Sequence, residues 1–156
     1  MDTSSSVSSY GNELNSALNE FTERMKKSHA AQNLFVSHIE FNDKVNVVSG
    51  FRPISDVPVM DLVPRIGGYT ALYKACQVGL KNALDYRKDL ETAGVNCKTL
   101  LFIITDGEDN ASGNVVANDV KVMIDDLAKE ERNFFSFESI LFGVGSDKSF
   151  EAAQKD

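Results

Sequence analysis

The stretch Thr99-Leu-Leu-Phe-Ile-Ile-Thr-Asp-Gly107 decides the predicted fold. Its apolar run from Leu100 to Ile104 has no alternating polar residue, and the Thr-Asp-Gly sequence ends it. A parallel strand with helices over both faces requires such a run, because neither face meets water. The stretch therefore predicts a central strand of an α/β domain.

Helical and strand patterns alternate around this run. Apolar spacing of three and four residues predicts helices over residues 12 to about 27, from Thr70 onwards and over 116–127. Branched and aromatic residues predict an antiparallel hairpin of strands 34–41 and 45–48, and a further strand over 136–144. Residues 2–11 and 50–66 are predicted to be irregular. The sequence thus predicts a doubly wound, mostly parallel sheet with helices on both faces and one antiparallel edge hairpin.

The composition limits the classes of function. The chain has 156 residues, enough for one domain, and a formal charge of −7 from 16 basic and 23 acidic residues. Without a basic cluster, the sequence predicts neither a nucleic-acid partner nor a membrane partner. The start lacks a basic-then-apolar signal, and Cys76 and Cys97 have no CxxC spacing. We therefore expect a cytoplasmic protein with two free thiols.

Oxygen-bearing side chains lie at three points where a strand or linker meets a helix. These are Asp2, Ser4 and Ser6 before the first helix, Thr70 after Gly67-Gly68, and Asp106 after the apolar run. Ligands bind at the carboxyl ends of strands in a doubly wound sheet, so we expect these side chains to converge. Two carboxylates and three hydroxyls suit Mg²⁺ or Mn²⁺ and not zinc. Because two carboxylates balance one divalent ion, the ion can accept a further anionic ligand from a partner.

The order of these residues resembles the metal-ion-dependent adhesion site of the von Willebrand factor A (vWA) family. That site uses a D-x-S-x-S loop, which Asp2, Ser4 and Ser6 match, and a distant threonine and aspartate, which Thr70 and Asp106 match. The resemblance implies a vWA fold and a protein–protein interaction domain without enzymatic activity. It also implies that the serines and the threonine ligate Mg²⁺, with Mn²⁺ or Ca²⁺ as alternatives, while the aspartates act directly or through water. A partner protein would supply an Asp or Glu carboxylate. The expected rim consists of residues 5–11, Tyr69 and residues 108–112.

The chain departs from the family pattern at both ends. In the family a central apolar strand precedes the D-x-S-x-S loop, whereas here Met1 alone precedes Asp2. Gly143-Val144-Gly145 resembles the end of a later family strand, but the residues after Ser146 only begin a helix. We therefore expect residues 1–156 to be a single truncated domain whose strands at 34 and 99 flank an empty position. Such a domain is expected to be weakly stable or to form a strand-swapped or partner-completed oligomer.

Two other functions compete with this interpretation. In a metal-independent scaffold or assembly domain of the chelatase- or ATPase-associated type, the serines and Thr70 would serve as helix caps. In a Mg²⁺-dependent phosphoryl-transfer enzyme, Asp2 or Asp106 would be the nucleophile. The sequence lacks a P-loop, a nucleophile elbow and an H-E-x-x-H motif, and His38 is predicted to be structural. The glycosylation sequon at Asn110 is interpreted as a chance match.

Overall fold

The computed structural model describes residues 1–106, 108–130 and 137–143, and they form a mixed α/β fold. The helices are α1 (Gly11–Lys26), α2 (Leu72–Thr92) and α3 (Ala117–Glu130). The strands are β1 (Phe35–Phe41), β2 (Val45–Pro53), β3 (Thr99–Thr105) and β4 (Phe137–Gly143). Short 3₁₀ helices cover Ser5–Tyr10, Ala31–Asn33, Ile54–Asp56 and Val63–Arg65. In these described residues, no helix has the length and apolar character needed to cross a bilayer.

The strands form two pairs with the predicted directions. β1 and β2 form an antiparallel hairpin with Phe41 opposite Val45, and the Asn42 side chain accepts the Lys44 N–H at 3.0 Å in the turn. β3 and β4 pair in parallel from their first residues to Thr105 and Gly143. The predicted hairpin and the parallel pairing are therefore confirmed. The predicted final helix near Ser146, and the end of the Gly143-Val144-Gly145 motif, lie outside the described residues.

Residues 1–3 lie between the carboxyl ends of β1 and β3. Thr3 N–H donates to the Phe41 carbonyl at 2.7 Å, and Phe41 N–H donates to the Met1 carbonyl at 3.0 Å. This is parallel pairing with β1. On the other side, Asp2 N–H donates to the Ile104 carbonyl of β3 at 2.8 Å. The order at this end is therefore β2, β1, residues 1–3, β3, β4.

Helix α2 supplies most of the core. All six residues of its predicted apolar stripe are buried: Leu72, Ala75, Cys76, Gly79, Leu80 and Ala83. On the opposite side of β3, Phe102 lies edge-on to Phe21 of α1, with ring centroids 6.1 Å apart. Leu101 approaches α2 at Gly79. Since neighbouring residues of a strand point to opposite faces, α1 and α2 lie on opposite sides of β3.

Three expectations, about residues 50–66, residues 2–11 and strand β3, were wrong. Residues 50–53 are not irregular, because β2 continues to Pro53. Residues 2–11 are not an irregular loop, because Ser5–Tyr10 forms a 3₁₀ helix whose Val7 is fully buried. Strand β3 is not covered on both faces, because Leu100 and Phe102 are 48% and 40% exposed. The physical reason is that the described residues place no strand between residues 35–38 of β1 and 99–103 of β3. The side chains that such a strand would help to cover therefore face solvent.

Candidate metal centre

Asp2 is held rigidly at the carboxyl end of the sheet. Its carboxylate is 1% exposed; Oδ1 accepts the Ser4 N–H at 2.8 Å and Oδ2 accepts the Thr105 hydroxyl at 2.6 Å. An ionised carboxylate has about four acceptor positions, so about two remain for a further ligand or for water. The Asp2–Ser4 bond is of the kind that an Asp side chain forms with the backbone two residues on in a turn.

Ser4 and Ser6 present two hydroxyl oxygens side by side. Their Oγ atoms are 2.9 Å apart, with Ser4 buried and Ser6 exposed. Two neighbouring ligands of an octahedral Mg²⁺, each at about 2.1 Å, would be about 3.0 Å apart, so this spacing fits the ion. Ser4 precedes the 3₁₀ helix, but its side chain makes no capping hydrogen bond. Helix capping therefore does not explain the position of this hydroxyl.

Asp106 completes a cluster of four predicted ligands. It is half-buried at the end of β3, and its carboxylate accepts a hydrogen bond from Ser6. Burial raises the pKa of Asp106, the Ser6 bond acts in the opposite direction, and the nearby Asp2 charge raises it further. The structure thus places two carboxylates of like charge beside two hydroxyls. A divalent cation would offset both the burial and the repulsion.

Thr70 follows a segment whose backbone is hydrogen-bonded to the Asp2 loop. Ser5 N–H donates to the Gly68 carbonyl at 3.0 Å, and Gly67 N–H donates to the Thr3 carbonyl at 2.8 Å. Thr70 is 4% exposed, and its own N–H donates to the Asn110 side chain at 2.7 Å. Residue Ala71 occupies the N-cap of α2 and makes no side-chain cap bond, so Thr70 is not the helix cap. Among the described residues, hydrogen bonds join Asp2, Ser4, Ser6 and Asp106 directly, whereas Thr70 is joined to the same loop only through the backbone of residues 67–68.

Gly68 makes this close approach of the two loops feasible. Its φ of +85° lies in the left-handed region, and a Cβ at this position would collide with the Asp43 carboxylate. A residue with a side chain would strain the backbone there, and the Asp43 carboxylate would have to move. Gly68 therefore allows residues 67–70 to lie between the hairpin turn and the Asp2 loop.

The loop after β3 caps helix α2, which sequence reasoning missed. The Asp109 Oδ1 atom accepts the Tyr73 N–H at 3.2 Å and the Ser112 hydroxyl at 2.5 Å, and Ser112 Oγ accepts the Lys74 N–H at 3.0 Å. The signal was present in the sequence: α2 begins with Ala71 and Leu72, whose side chains cannot accept hydrogen bonds from the free N–H groups of the helix. Ser112, expected on the rim, is in fact buried, whereas Tyr69, Glu108 and Asn110 are exposed around the site.

His38 lies away from this cluster, beside a buried ion pair. Arg65 Nε and Nη2 bind the two Glu40 carboxylate oxygens at 2.6 and 2.7 Å, and Glu40 is 3% exposed. His38 Nε2 is 3.5 Å from Glu40 Oε1, too far for a strong hydrogen bond. Burial lowers the pKa of His38, although Glu40 acts to raise it. His38 Nε2 is buried and makes no hydrogen bond in the described structure, and the structural role of His38 stays a prediction.

The cluster differs in chemistry from transition-metal sites. The described part of the chain contains no group of three or more His, Cys, Asp or Glu side chains placed to hold a metal ion. The candidate centre has only two side chains of these types, those of Asp2 and Asp106, and hydroxyls would supply its other ligands. No protein-family model matches the chain, and a search of curated proteins gives no match.

Proposed function

We propose that this chain is a vWA-type domain that binds a partner protein through a Mg²⁺ ion. The observation that carries the proposal is the contiguous cluster of Asp2, Ser4, Ser6 and Asp106 at the end of β3. Asp2 and Asp106 are 104 residues apart in the sequence. Asp2 belongs to the segment of residues 1–3 that pairs with β1 and β3, and Ser4 and Ser6 follow it directly. Two carboxylates and two hydroxyls at one point form an all-oxygen set of the kind that hard cations prefer.

The donor set fits a hard cation. Asp2, Ser4, Ser6, Thr70 and Asp106 would hold it, with the aspartates acting directly or through water. The Ser4–Ser6 spacing fits neighbouring positions in an octahedron, and the Thr105 bond fixes the Asp2 carboxylate before any ligand arrives. When bound, the ion supplies positive charge and an open coordination position. Mn²⁺ has the same ligand preference and is a suitable probe.

A carboxylate partner follows from the charges. The chain carries a formal charge of −7, and Glu108 lies exposed beside the site, so an acidic partner is repelled unless a cation is present. Tyr69, which is 69% exposed, offers an aromatic contact on the rim. We therefore expect binding that requires both the ion and an Asp or Glu of the partner.

The arrangement of the described strands supports the fold that this function requires. The order β2, β1, residues 1–3, β3, β4 and the position of α1 and α2 on opposite sides of β3 favour a doubly wound sheet. In such a sheet the strand order reverses between β1 and β3, and residues 1–3 and the cluster lie at this point. Ligand sites occur at this position in open α/β sheets.

Water-proton relaxation with Mn²⁺ tests the proposal. We expect Mn²⁺ to bind with enhanced relaxation from its remaining water, and acetate to reduce the enhancement by replacing that water. Acetamide, which has the same shape without the charge, should have no effect. Asp106→Asn should weaken Mn²⁺ binding, whereas Asp56→Asn, an exposed carboxylate at the opposite end of β1, should not.

Two results would contradict the proposal. If Mn²⁺ does not bind the wild-type chain, the cluster is not a metal site, and a metal-independent assembly role accounts better for the fold. If Mn²⁺ binds but acetate and acetamide behave alike, the ion has no open position for a partner carboxylate. Mn²⁺-dependent hydrolysis of a phosphate ester that is lost in Asp106→Asn would instead indicate an enzyme.

A further inference from the structure

A groove of about 260 Å³ is lined by residues of the β1–β2 hairpin, by residues 57–61 and by Arg65. We call it the Arg52 groove, after the arginine of β2 that lines it. Its volume is close to the lower end of the roughly 300–1,000 Å³ that is typical of small-molecule sites. All of its lining residues fall between positions 38 and 65, and none of them belongs to the candidate metal centre. The groove is therefore a second candidate site.

An irregularity in the hairpin brings consecutive side chains of β2 to the Arg52 groove. The pairing of β1 with β2 shifts on each side of His38, which lies opposite Ser49, so β2 has an extra residue on each side of Ser49. In a regular strand Val48 and Ser49 would point to opposite faces, but both line the groove. Bulges redirect side chains in this way and are frequent beside functional sites.

Helix α1 holds the other wall of the groove in place, although residues 57–62 have no regular secondary structure. The Asn19 side chain exchanges two hydrogen bonds with the Met60 backbone, at 2.7 and 2.9 Å, and Asn15 Oδ1 accepts the Leu62 N–H at 3.0 Å. Val57 and Leu62, at the two ends of this segment, are 6% and 1% exposed. Because the wall is already ordered, a ligand does not have to order it on binding.

Arg52 supplies a positive charge that the described side chains do not offset. Arg65 also lines the groove, but its Nε and Nη2 atoms bind the buried Glu40 carboxylate. The Glu40 hydrogen bond raises the pKa of Arg65, and the charge of Asp61, another lining residue, acts in the same direction. Among the described residues, no side chain forms an ion pair or a hydrogen bond with the Arg52 guanidinium. An anionic ligand would therefore complement the groove.

The rest of the lining favours an apolar body on this anion. Five apolar residues line the groove: Val48, Val57, Pro58, Val59 and Met60. Val48 and Val59 are 44% and 78% exposed, so a ligand would remove apolar surface from water. Since a water molecule occupies about 30 Å³ of liquid, the groove has room for about ten non-hydrogen atoms.

We propose that the Arg52 groove binds a small monocarboxylate with an apolar body, of about ten non-hydrogen atoms in all. The carboxylate accepts two parallel hydrogen bonds from the Arg52 guanidinium, which is the geometry that arginine favours with this group. The apolar body lies against Val48 and Met60. Because the groove shares no residue with the metal cluster, the inference does not depend on the metal site.

Fluorine NMR with 4-fluorobenzoate as the probe tests the proposal. The probe has the required size, and the whole 156-residue chain is the receptor. We expect saturable binding of one probe per chain, equal in Mg²⁺ and in EDTA. The amide 4-fluorobenzamide has the same shape without the charge and should bind about tenfold more weakly or less, because charge-assisted hydrogen bonds are lost. Acetate, which lacks the apolar body, should compete poorly with the probe.

Two pairs of variants locate the bound probe. Arg52→Gln should weaken binding by about tenfold or more, whereas Arg24→Gln, the same change at an exposed arginine of α1, should not. Val48→Glu places a carboxylate in the groove and should also weaken binding by about tenfold or more. Val47→Glu is its matched control, because Val47 is the next residue, is 42% exposed and does not line the groove. Since Val48 is itself 44% exposed, this pair provides the test even if Arg52→Gln does not fold.

Four results would overturn the proposal. Absence of saturable binding to the wild-type chain would show that the groove is not a carboxylate site. Equal binding of the amide would show an apolar contact without recognition of charge. Equal weakening by Arg24→Gln and Arg52→Gln would show a general effect of net charge. Equal weakening by Val47→Glu and Val48→Glu would place the probe outside the groove.

Discussion

Replacement of Thr105 by valine tests how firmly the fold holds Asp2. Thr105 is fully buried and donates its hydroxyl to Asp2 Oδ2 at 2.6 Å, and valine keeps its shape and strand preference. The variant leaves a buried carboxylate oxygen without its donor. Because hydrogen bonds to charged groups contribute about 1.5–3 kcal/mol, we expect the free energy of unfolding to fall by that amount. Mg²⁺ affinity should fall by about 10–100-fold, the usual cost of losing a partner of a metal ligand.

Thr3→Val is the matched control for this experiment. Thr3 is equally buried, but its hydroxyl donates to the neutral Phe41 carbonyl at 3.0 Å, so we expect a loss of only about 0.5–1.5 kcal/mol. Urea unfolding followed by circular dichroism measures both free energies, and calorimetric titration measures Mg²⁺ affinity. Equal destabilisation by the two variants, or unchanged Mg²⁺ affinity in Thr105→Val, would refute the reasoning.

Three further predictions concern other parts of the chain. Burial raises the pKa of the Cys76 thiol to about 11, so a disulfide reagent at pH 8 should modify the half-buried Cys97 well before Cys76; equal rates by mass spectrometry would contradict this. Gly68→Ala should cost about 1–3 kcal/mol in urea unfolding because of its positive φ, while Gly50→Ala, in open space, should cost nothing measurable. Burial lowers the pKa of His38, so the unfolded state binds the proton more readily and stability should fall as pH drops through about 6.5. This fall should be smaller in His38→Asn, and identical pH profiles would show that His38 does not contribute.

Local patterns in the sequence predicted the helices and strand pairs well. The stripe from Leu72 to Ala83 has the period of a helix over almost its whole length, and every predicted member is buried. Asn42 and Asp43 between two branched segments are typical of a hairpin turn, and the Asn42 side chain makes the expected turn bond. Such features depend on neighbours in sequence, so a single chain is enough to find them.

Tertiary contacts decided what the sequence did not predict. Ser5–Tyr10 is helical because Val7 is buried beneath it, although serines themselves have no strong helical preference. Asp109 and Ser112 cap α2 across 36 and 38 residues, which no local pattern reveals. The apolar run of β3 predicted two covered faces, but coverage depends on the strand beside it. The order Asp2, Ser4, Ser6, Thr70, Asp106 predicted the candidate ligands, and folding brings four of them into direct contact.

The melting temperature in the presence and absence of Mg²⁺ tests the central claim most directly. At Mg²⁺ about 100 times Kd, binding should stabilise the native chain by about 2.7 kcal/mol, which corresponds to roughly 5–11 °C for a domain of this size. The double variant Ser4→Ala, Ser6→Ala should lose the shift, since it removes two ligands and no charge. A wild-type melting temperature that Mg²⁺ leaves unchanged, or an equal shift in the double variant, would contradict the proposed metal centre.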